Sequence, residues 1–302
     1  TPALINIFPN VVEVIRRDFE HLQTCLHIAD SLLLLAPGEF LQLHGKSLAD
    51  LFNLVLGNVK DAGTLMLCEV LDTLLTIRPA EGAELLESTG LSYKMISMIF
   101  SGEEGSLVQA ALISLFARQC AMDPARFMQL LSRAQQFVNS NGAPISPAFI
   151  DACVERVDNL MLPSKRSLVG IALINLLVSN DPQHLQKAPD VINVVVDVLH
   201  QQRKDEMLPG KAEEGAQTFS DMLPSEGYFL DLTSIEPREE EAETSRKRQL
   251  EDSDPLQSVN LGAVVASKLQ ECATLNGQGI YTEMMNTVDP DILAQLQRFT
   301  AS

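Results

Sequence analysis

The sequence has no tryptophan, and aromatic residues make up only 5% of its 302 positions although hydrophobic residues make up 46%. A core of Leu, Ile, Val, Ala and Met suits helices that pack on helices. No apolar run approaches the roughly 20 residues that a membrane span requires, so we expect no membrane insertion. We expect no signal peptide, and the chain opens on Thr1-Pro2 without an initiator Met. We therefore expect the C-terminal portion of a longer protein.

The cysteines and histidines lack the spacings of metal or redox sites. Five cysteines are dispersed among apolar helical positions without a C-x-x-C pair, and the five histidines form no H-x-x-x-H pair. We expect reduced core thiols in a nuclear or cytosolic protein, and neither a metal site nor a cofactor. The cysteines are Cys25, Cys68, Cys120, Cys153 and Cys272.

Catalytic motifs are also missing. The Gly102–Ser106 stretch contains no Lys and two acids, which would repel a phosphate, and Gly277-Gln278-Gly279 lacks the third glycine of a dinucleotide site. There is no G-x-S-x-G nucleophile motif. The densest carboxylates lie in a polar segment where no apolar wall would raise a pKa for acid catalysis. The sequence therefore predicts a protein that is not an enzyme and has no catalytic residues.

Basic residues are scarce, with 22 Lys and Arg against 40 Asp and Glu and a formal net charge of −18. This balance argues against direct binding to nucleic acid or to an anionic membrane, and it favours basic protein partners. The charge is uneven, because the segment from Asp205 to Asp254 holds 15 acidic and 5 basic residues.

What the chain does contain is helical periodicity, seen best between Ser146 and Ser179. One predicted helix carries a single apolar stripe, whereas Leu168 to Val178 is apolar at nearly every position. Such a pair, with one half-exposed and one enclosed member, cannot complete a core alone and needs similar pairs stacked beside it. The stripe consists of Ile150, Cys153, Val154, Val157 and Met161.

Similar stripes recur along the chain, and four acid-Pro or Ser-Pro steps resemble helix N-caps followed by Pro at the first helical position. We predict an all-α fold, an α-α superhelix of HEAT or armadillo type, in hairpins of roughly 35 to 45 residues. Tetratricopeptide repeats are the less favoured alternative, because their residue signature is absent. The steps are Asp123-Pro124, Ser146-Pro147, Asp181-Pro182 and Asp289-Pro290.

Composition divides the chain into three regions. Residues 1–203 are predicted to form HEAT-like helical hairpins, and residues 254–302 a helical cap that closes the last repeat. Between them, residues 204–253 are dense in charge and poor in apolar residues, which predicts a disordered acidic insertion.

The candidate partner-binding residues lie in that insertion. They are the acids Glu239, Glu240, Glu241 and Glu243, and the aromatic pair Tyr228 and Phe229. The aromatic pair belongs to a short apolar island that would dock on the repeats or on a partner; a solvated loop is the alternative. Arg246-Lys247-Arg248 resembles a nuclear localisation signal, but neutralisation by neighbouring carboxylates is favoured.

Two further sets of residues have open interpretations. Asp158 and the pair Lys165-Arg166 are favoured to join stacked repeats rather than to contact cargo. Several methionines would form an adaptable apolar groove or, as we favour, part of the core: Met95, Met98, Met284 and Met285.

The C-terminal segments from Asp254 to Leu261 (DPLQSVNL) and from Thr287 to Phe299 (TVDPDILAQLQRF) resemble nuclear transport receptors of the importin-β superfamily, the karyopherins. The likeness is to the importin-eleven type. Weaker likenesses lie at Val157–Asn159 with Pro163, and at Pro2–Phe8.

The resemblance implies a superhelical HEAT-repeat import receptor that shuttles between nucleus and cytoplasm. Its implied partners are protein cargo, FG-repeat nucleoporins and the GTPase Ran. In this superfamily the principal Ran contacts come from N-terminal repeats, which this chain does not contain, so Ran binding is expected only through the rest of the parent protein. The alternative from the fold is a HEAT-repeat scaffold of a complex unrelated to transport.

Overall fold

The computed structural model describes residues 2–138, 144–179, 181–207 and 237–300. Within these ranges the regular secondary structure is helical, which confirms the predicted all-α class. A 3-10 turn spans Val157–Asn159. The helices are α1 (Pro2–Ile5), α2 (Phe8–Arg17), α3 (Leu22–Leu35), α4 (Pro37–Val55), α5 (Asp61–Ile77), α6 (Pro79–Ser88), α7 (Leu91–Ser101), α8 (Ser106–Met122), α9 (Pro124–Ala134), α10 (Ile145–Arg156), α11 (Pro163–Leu177), α12 (Pro182–Leu185), α13 (Ala188–Met207), α14 (Pro237–Ser253), α15 (Leu261–Asn276), α16 (Gln278–Asn286) and α17 (Pro290–Thr300).

Three of the four predicted caps are present. The carboxylates of Asp123, Asp181 and Asp289 accept main-chain N–H bonds from the first turns of α9, α12 and α17, at 2.9, 2.9 and 2.8 Å. Each bond satisfies a donor that the helix leaves unpaired. The prediction for Ser146 is wrong, because α10 already begins at Ile145 and Ser146 lies within its first turn.

The chain forms two compact units, and the first comprises residues 1–95 with 217–257. Its helices alternate between two layers: α2 packs on α4 and α4 on α6, while α3 packs on α5. Successive helices therefore form pairs that stack on the next pair, as expected for helical repeats. Phe8 and Phe40 join α2 to α4 by an edge-to-face contact with ring centroids 4.8 Å apart.

The second unit comprises residues 96–216 with 258–302, and α11 is its central helix. It packs against α8, α13 and α15, and every residue from Leu168 to Leu177 is buried. The prediction of an enclosed helix here is confirmed. Gly170 faces α15, and a Cβ at this position would make an ordinary contact with the side chain of Leu261 at 3.4 Å.

The end of the chain packs on the same unit. Helix α15 contacts α11, and α17 contacts α13 and α15. The ring of Phe299 on α17 lies edge-to-face with His200 on α13 at 4.8 Å, and His200 is 2.6 Å from the Gln295 side chain. The helices predicted for this region are confirmed, and their role as a cap of the repeats stays a prediction.

Three details differ from the sequence-based expectations. Met161 and Phe137 are 60% and 64% exposed although both continue apolar stripes, because α10 and α9 end before these residues. Residues 237–253 of the predicted insertion form α14, and the disorder predicted for the insertion stays a prediction. Helix α13 extends to Met207, beyond the predicted limit at residue 203. Residues 208–236 of the predicted insertion lie outside the described residues.

The contact between the start of α15 and the end of α17 predicts the effect of Gly262→Ala. A Cβ at Gly262 would lie 2.7 Å from the main-chain oxygen of Phe299, so backbone must shift. We expect a loss of about 1–3 kcal/mol in the free energy of unfolding, measured by urea denaturation.

Gly279→Ala is the matched control, because its Cβ would meet no atom within 4 Å and the residue lies in α16. Removing a helical glycine there is expected to raise stability by up to about 1 kcal/mol. Equal effects of the two variants would contradict the proposed clash.

Candidate partner-binding surface

Helix α14 carries the predicted acidic residues. Glu239, Glu240, Glu241 and Glu243 occupy its N-terminal half. Acids near a helix N-terminus are favoured by the helix dipole, which helps a sequence this polar to remain helical. Tyr228 and Phe229 lie outside the described residues. The structure therefore places four of the six candidates on one helix, and their role as a binding site stays a prediction.

The basic residues of α14 behave differently from one another. Arg246 and Arg248 are exposed, whereas Lys247 points at α3, where its ammonium lies 2.9 Å from a carboxylate oxygen of Asp30. Sequence reasoning expected neighbouring carboxylates to neutralise this triplet. The structure shows that one partner of Lys247 is an acid more than 200 positions away along the chain.

Asp30 is an unusual residue for its position. It lies on the buried face of α3 beside Leu26 and Ala29 and is only 4% exposed. Oδ2 receives Lys247, and Oδ1 has no hydrogen-bond partner among the described residues. A buried carboxylate raises the free energy of the folded state unless a cation or donors compensate it, so Lys247 has a clear electrostatic role.

Exposed apolar side chains also occur in each unit, and the sequence patterns did not single them out. Unit 1 exposes Leu35 at the end of α3 and Leu43 on α4, at 50% and 55%. By contrast, Met95, Met98 and Met284 are buried, which confirms the core alternative for these three. Met285 is half-buried.

Arg166 joins stacked helices, as the favoured interpretation predicted. Its guanidinium donates to the main-chain carbonyls of Leu160 and Asp158 and, at 2.6 Å, to the side chain of Gln201 on α13. Arg166 therefore contacts Asp158 through its main-chain carbonyl and not through its carboxylate. The guanidinium suits this role because its several N–H groups donate at once to acceptors that follow α10 and to one on α13.

His184 is fully buried and holds three segments of unit 2 together. Nδ1 lies 2.9 Å from both the Leu176 carbonyl and the Ser179 hydroxyl, and Nε2 lies 2.8 Å from the Ser146 hydroxyl. Burial lowers the pKa of His184, and the Asp181 carboxylate and the Leu176 carbonyl partly offset this effect. The neutral ring with Nδ1–H donating to Leu176 fits these partners.

The cysteines are buried free thiols, which confirms their predicted place in the core. Burial raises the pKa of Cys153 well above its usual range, so its thiol stays protonated. Among the described residues, no group of three His, Cys, Asp or Glu side chains is arranged to hold a metal ion. The helices of the same residues include none with the length and apolar character to cross a membrane.

These features define a helical-repeat protein with exposed apolar and charged side chains on its helices. Comparison with known proteins assigns its family: the family described as "Importin-11-like, TPR repeats" matches residues 1–301, and the chain belongs to it.

Curated relatives agree with this assignment. The chain is 28% identical to importin-11 of Homo sapiens and 26% identical to importin-11 of Mus musculus, over 99% of its own length in each case. It covers 30% of either relative, so it spans about a third of their length. Importin beta-like protein kap113 of Schizosaccharomyces pombe is 23% identical.

A solved structure shares the fold. It is described as the structure of Lph2, "a novel bidirectional nuclear transport receptor in S. cerevisiae", and it matches 98% of the chain with a TM-score of 0.71 at 16% identity. The chain covers 31% of that structure. This likeness confirms the fold class of a helical-repeat solenoid.

The family description calls the repeats tetratricopeptide repeats, whereas the sequence favours HEAT-like hairpins. A tetratricopeptide unit has about 34 residues. The pair of α4 and α5 runs from Pro37 to Ile77 and is therefore longer.

The setting of His184 predicts a pH effect on stability. Because burial lowers its pKa in the folded state, the unfolded chain binds the proton more readily. We expect the free energy of unfolding to fall as the pH drops below about 6.5, the usual histidine pKa. His184→Asn should be less stable than the wild type at pH 7.5 and lose less on acidification.

Urea unfolding at several pH values between about 5.5 and 7.5 spans the unperturbed histidine pKa and measures this difference. His21→Gln is the control, since His21 is exposed. Parallel pH profiles for His184→Asn and the wild type would show that another group causes the pH dependence.

Proposed function

We propose that this chain is part of a nuclear import receptor that carries basic protein cargo and shuttles between nucleus and cytoplasm. The observation that carries the proposal is the family match over residues 1–301. Relatives named importin-11, and a structural neighbour named as a nuclear transport receptor, support it. Because the chain spans only about a third of their length, the activity of the whole receptor is included in the proposal.

Charge supports basic cargo as the partner class. The chain has a formal net charge of −18, and the N-terminal half of α14 concentrates acids in consecutive positions. Complementary charge accelerates the association of the acidic chain with a basic cargo and selects against acidic partners.

FG-repeat nucleoporins and Ran complete the proposal. Exposed apolar side chains such as Leu43 provide surface on which a Phe side chain can bury apolar area. Ran-GTP acts through the N-terminal repeats of the receptor, outside this chain. Turnover of a substrate has no part in this function.

Release of cargo by Ran tests the proposal directly. The complete receptor that carries this chain is immobilised and loaded with nuclear extract, with and without Ran locked in its GTP form. We expect a set of bound proteins that Ran-GTP releases. A scaffold protein would hold its partners whether or not Ran is present, and that result would replace the receptor interpretation.

The acids of α14 predict the salt dependence of binding to a basic peptide. Changing Glu239, Glu240, Glu241 and Glu243 to Gln removes four charges, and we expect an octalysine peptide to bind at least about tenfold more weakly, a loss of about 1.4 kcal/mol. Fluorescence anisotropy at about 50 and 200 mM salt measures the affinity and should show a shallower salt dependence, since fewer charges are involved.

Four exposed acids elsewhere form the matched control: Glu20, Glu84, Glu103 and Glu283. Their change to Gln removes the same charge from other sites. If both quadruple variants lose affinity equally, the net charge of the chain rather than α14 binds the peptide.

A further inference from the structure

We propose that Asp30 on α3 is a binding site for a lysine side chain, occupied in this structure by Lys247, and that a lysine-rich partner segment displaces α14 by taking this place. The proposal rests on the proposed function for the identity of the partner. The docking of α14 itself is independent of it. Both parts follow from the environment of one carboxylate and from the composition of one helix.

The Asp30 carboxylate is buried and only partly paired. Asp30 lies among apolar residues on the buried face of α3, and its side chain is 5% exposed. One oxygen contacts Lys247 at 2.9 Å, and the other has no partner among the described residues. A site with one satisfied and one open oxygen attracts cations, because pairing restores part of the interaction energy lost with hydration.

The sequence of helix α14 supplies little apolar surface for attachment. Its sequence, PREEEAETSRKRQLEDS, contains no apolar stripe, and Leu250 is its one large apolar residue. Between residues 244 and 253, Lys247 and Leu250 are the half-buried side chains and the others are exposed. A polar helix of this length is marginal in water on its own. The pairing of Lys247 with Asp30 is therefore a principal constraint on where α14 lies.

The pair is accessible to competition. The Lys247 side chain remains 36% exposed, so water and a competing ammonium can approach the ion pair from the Lys247 side. The Asp30 side chain itself is covered. A compact ammonium on a flexible stem reaches a single carboxylate oxygen more readily than a planar guanidinium, which is suited to two parallel bonds. The favoured ligand is accordingly lysine in an extended basic segment.

Attachment within one chain also sets a threshold for the competitor. An intramolecular ligand acts at an effective concentration of about millimolar, so a single lysine in solution does not displace it. A segment with several lysines gains additional contacts with the acids that precede Lys247 on α14. Release of α14 and capture of the segment then occur together.

Hydrogen exchange in the chain without any partner tests the docking. Lys247→Gln and Asp30→Asn are each expected to raise the exchange rate of α14 amides at least about tenfold, a change of about 1.4 kcal/mol in opening free energy. Arg248→Gln, with the same change of charge at an exposed neighbour, should leave the rates near wild type. Equal exchange in Lys247→Gln and Arg248→Gln overturns the proposal, whatever the cargo.

Binding of octalysine tests the competition. Lys247→Gln should bind the peptide at least about threefold more tightly than Arg248→Gln, because only the first change vacates Asp30, a difference of about 0.7 kcal/mol. Adding Asp30→Asn should remove this gain. A gain that persists in the double variant overturns Asp30 as the lysine site. Circular dichroism of each variant checks that its overall helix content equals that of the wild type.

The two tests separate this inference from the proposed function. If octalysine fails to bind the wild type and both variants while exchange responds as expected, the docking of α14 stands, whereas its displacement by a lysine-rich segment and the basic-cargo function both fail. If octalysine binds but exchange does not distinguish Lys247 from Arg248, the function stands and the Asp30 site is overturned.

Discussion

A helix that is apolar on every side is stable only when other helices surround it, and α11 imposes this condition on unit 2. Its buried residues run without interruption from Leu168 to Leu177. Burying a Leu, Ile or Val side chain contributes about 1.5–3 kcal/mol, so exposing even one side of this helix would cost much of a typical domain stability. The positions of α8, α13 and α15 follow from covering it.

Much of this arrangement could be predicted from the sequence, because the pattern of apolar residues within a helix is local. The enclosed α11 and the buried cysteines were predictable from this pattern. The three capping aspartates were predictable from the Asp-Pro steps, which are also local. The patterns failed where a helix ended earlier than its apolar residues suggested, as at Phe137 and Met161. Apolar spacing gives no information on where the backbone stops being helical, and the 3-10 turn after α10 changes the direction of the following side chains.

The candidate site was less predictable for a different reason. Composition identified a concentration of charge but did not indicate the helix at residues 237–253, because an average over a segment does not show that four acids lie near one end, where they suit a helix dipole. The partner of Lys247 lies in a distant helix, and no local pattern links the two residues. Ser146 illustrates the same limit, since its hydroxyl contacts His184 instead of capping a helix.

The late arrival of α15 has a consequence for synthesis of the chain. Helix α11 ends at Leu177, whereas α15, which covers one of its sides, begins at Leu261. At a translation rate of about 5–20 residues per second, that apolar side of the nascent helix waits on the order of ten seconds for its partner. During this interval the exposed apolar side favours aggregation, and a chain that stops before Leu261 lacks the helix that covers it.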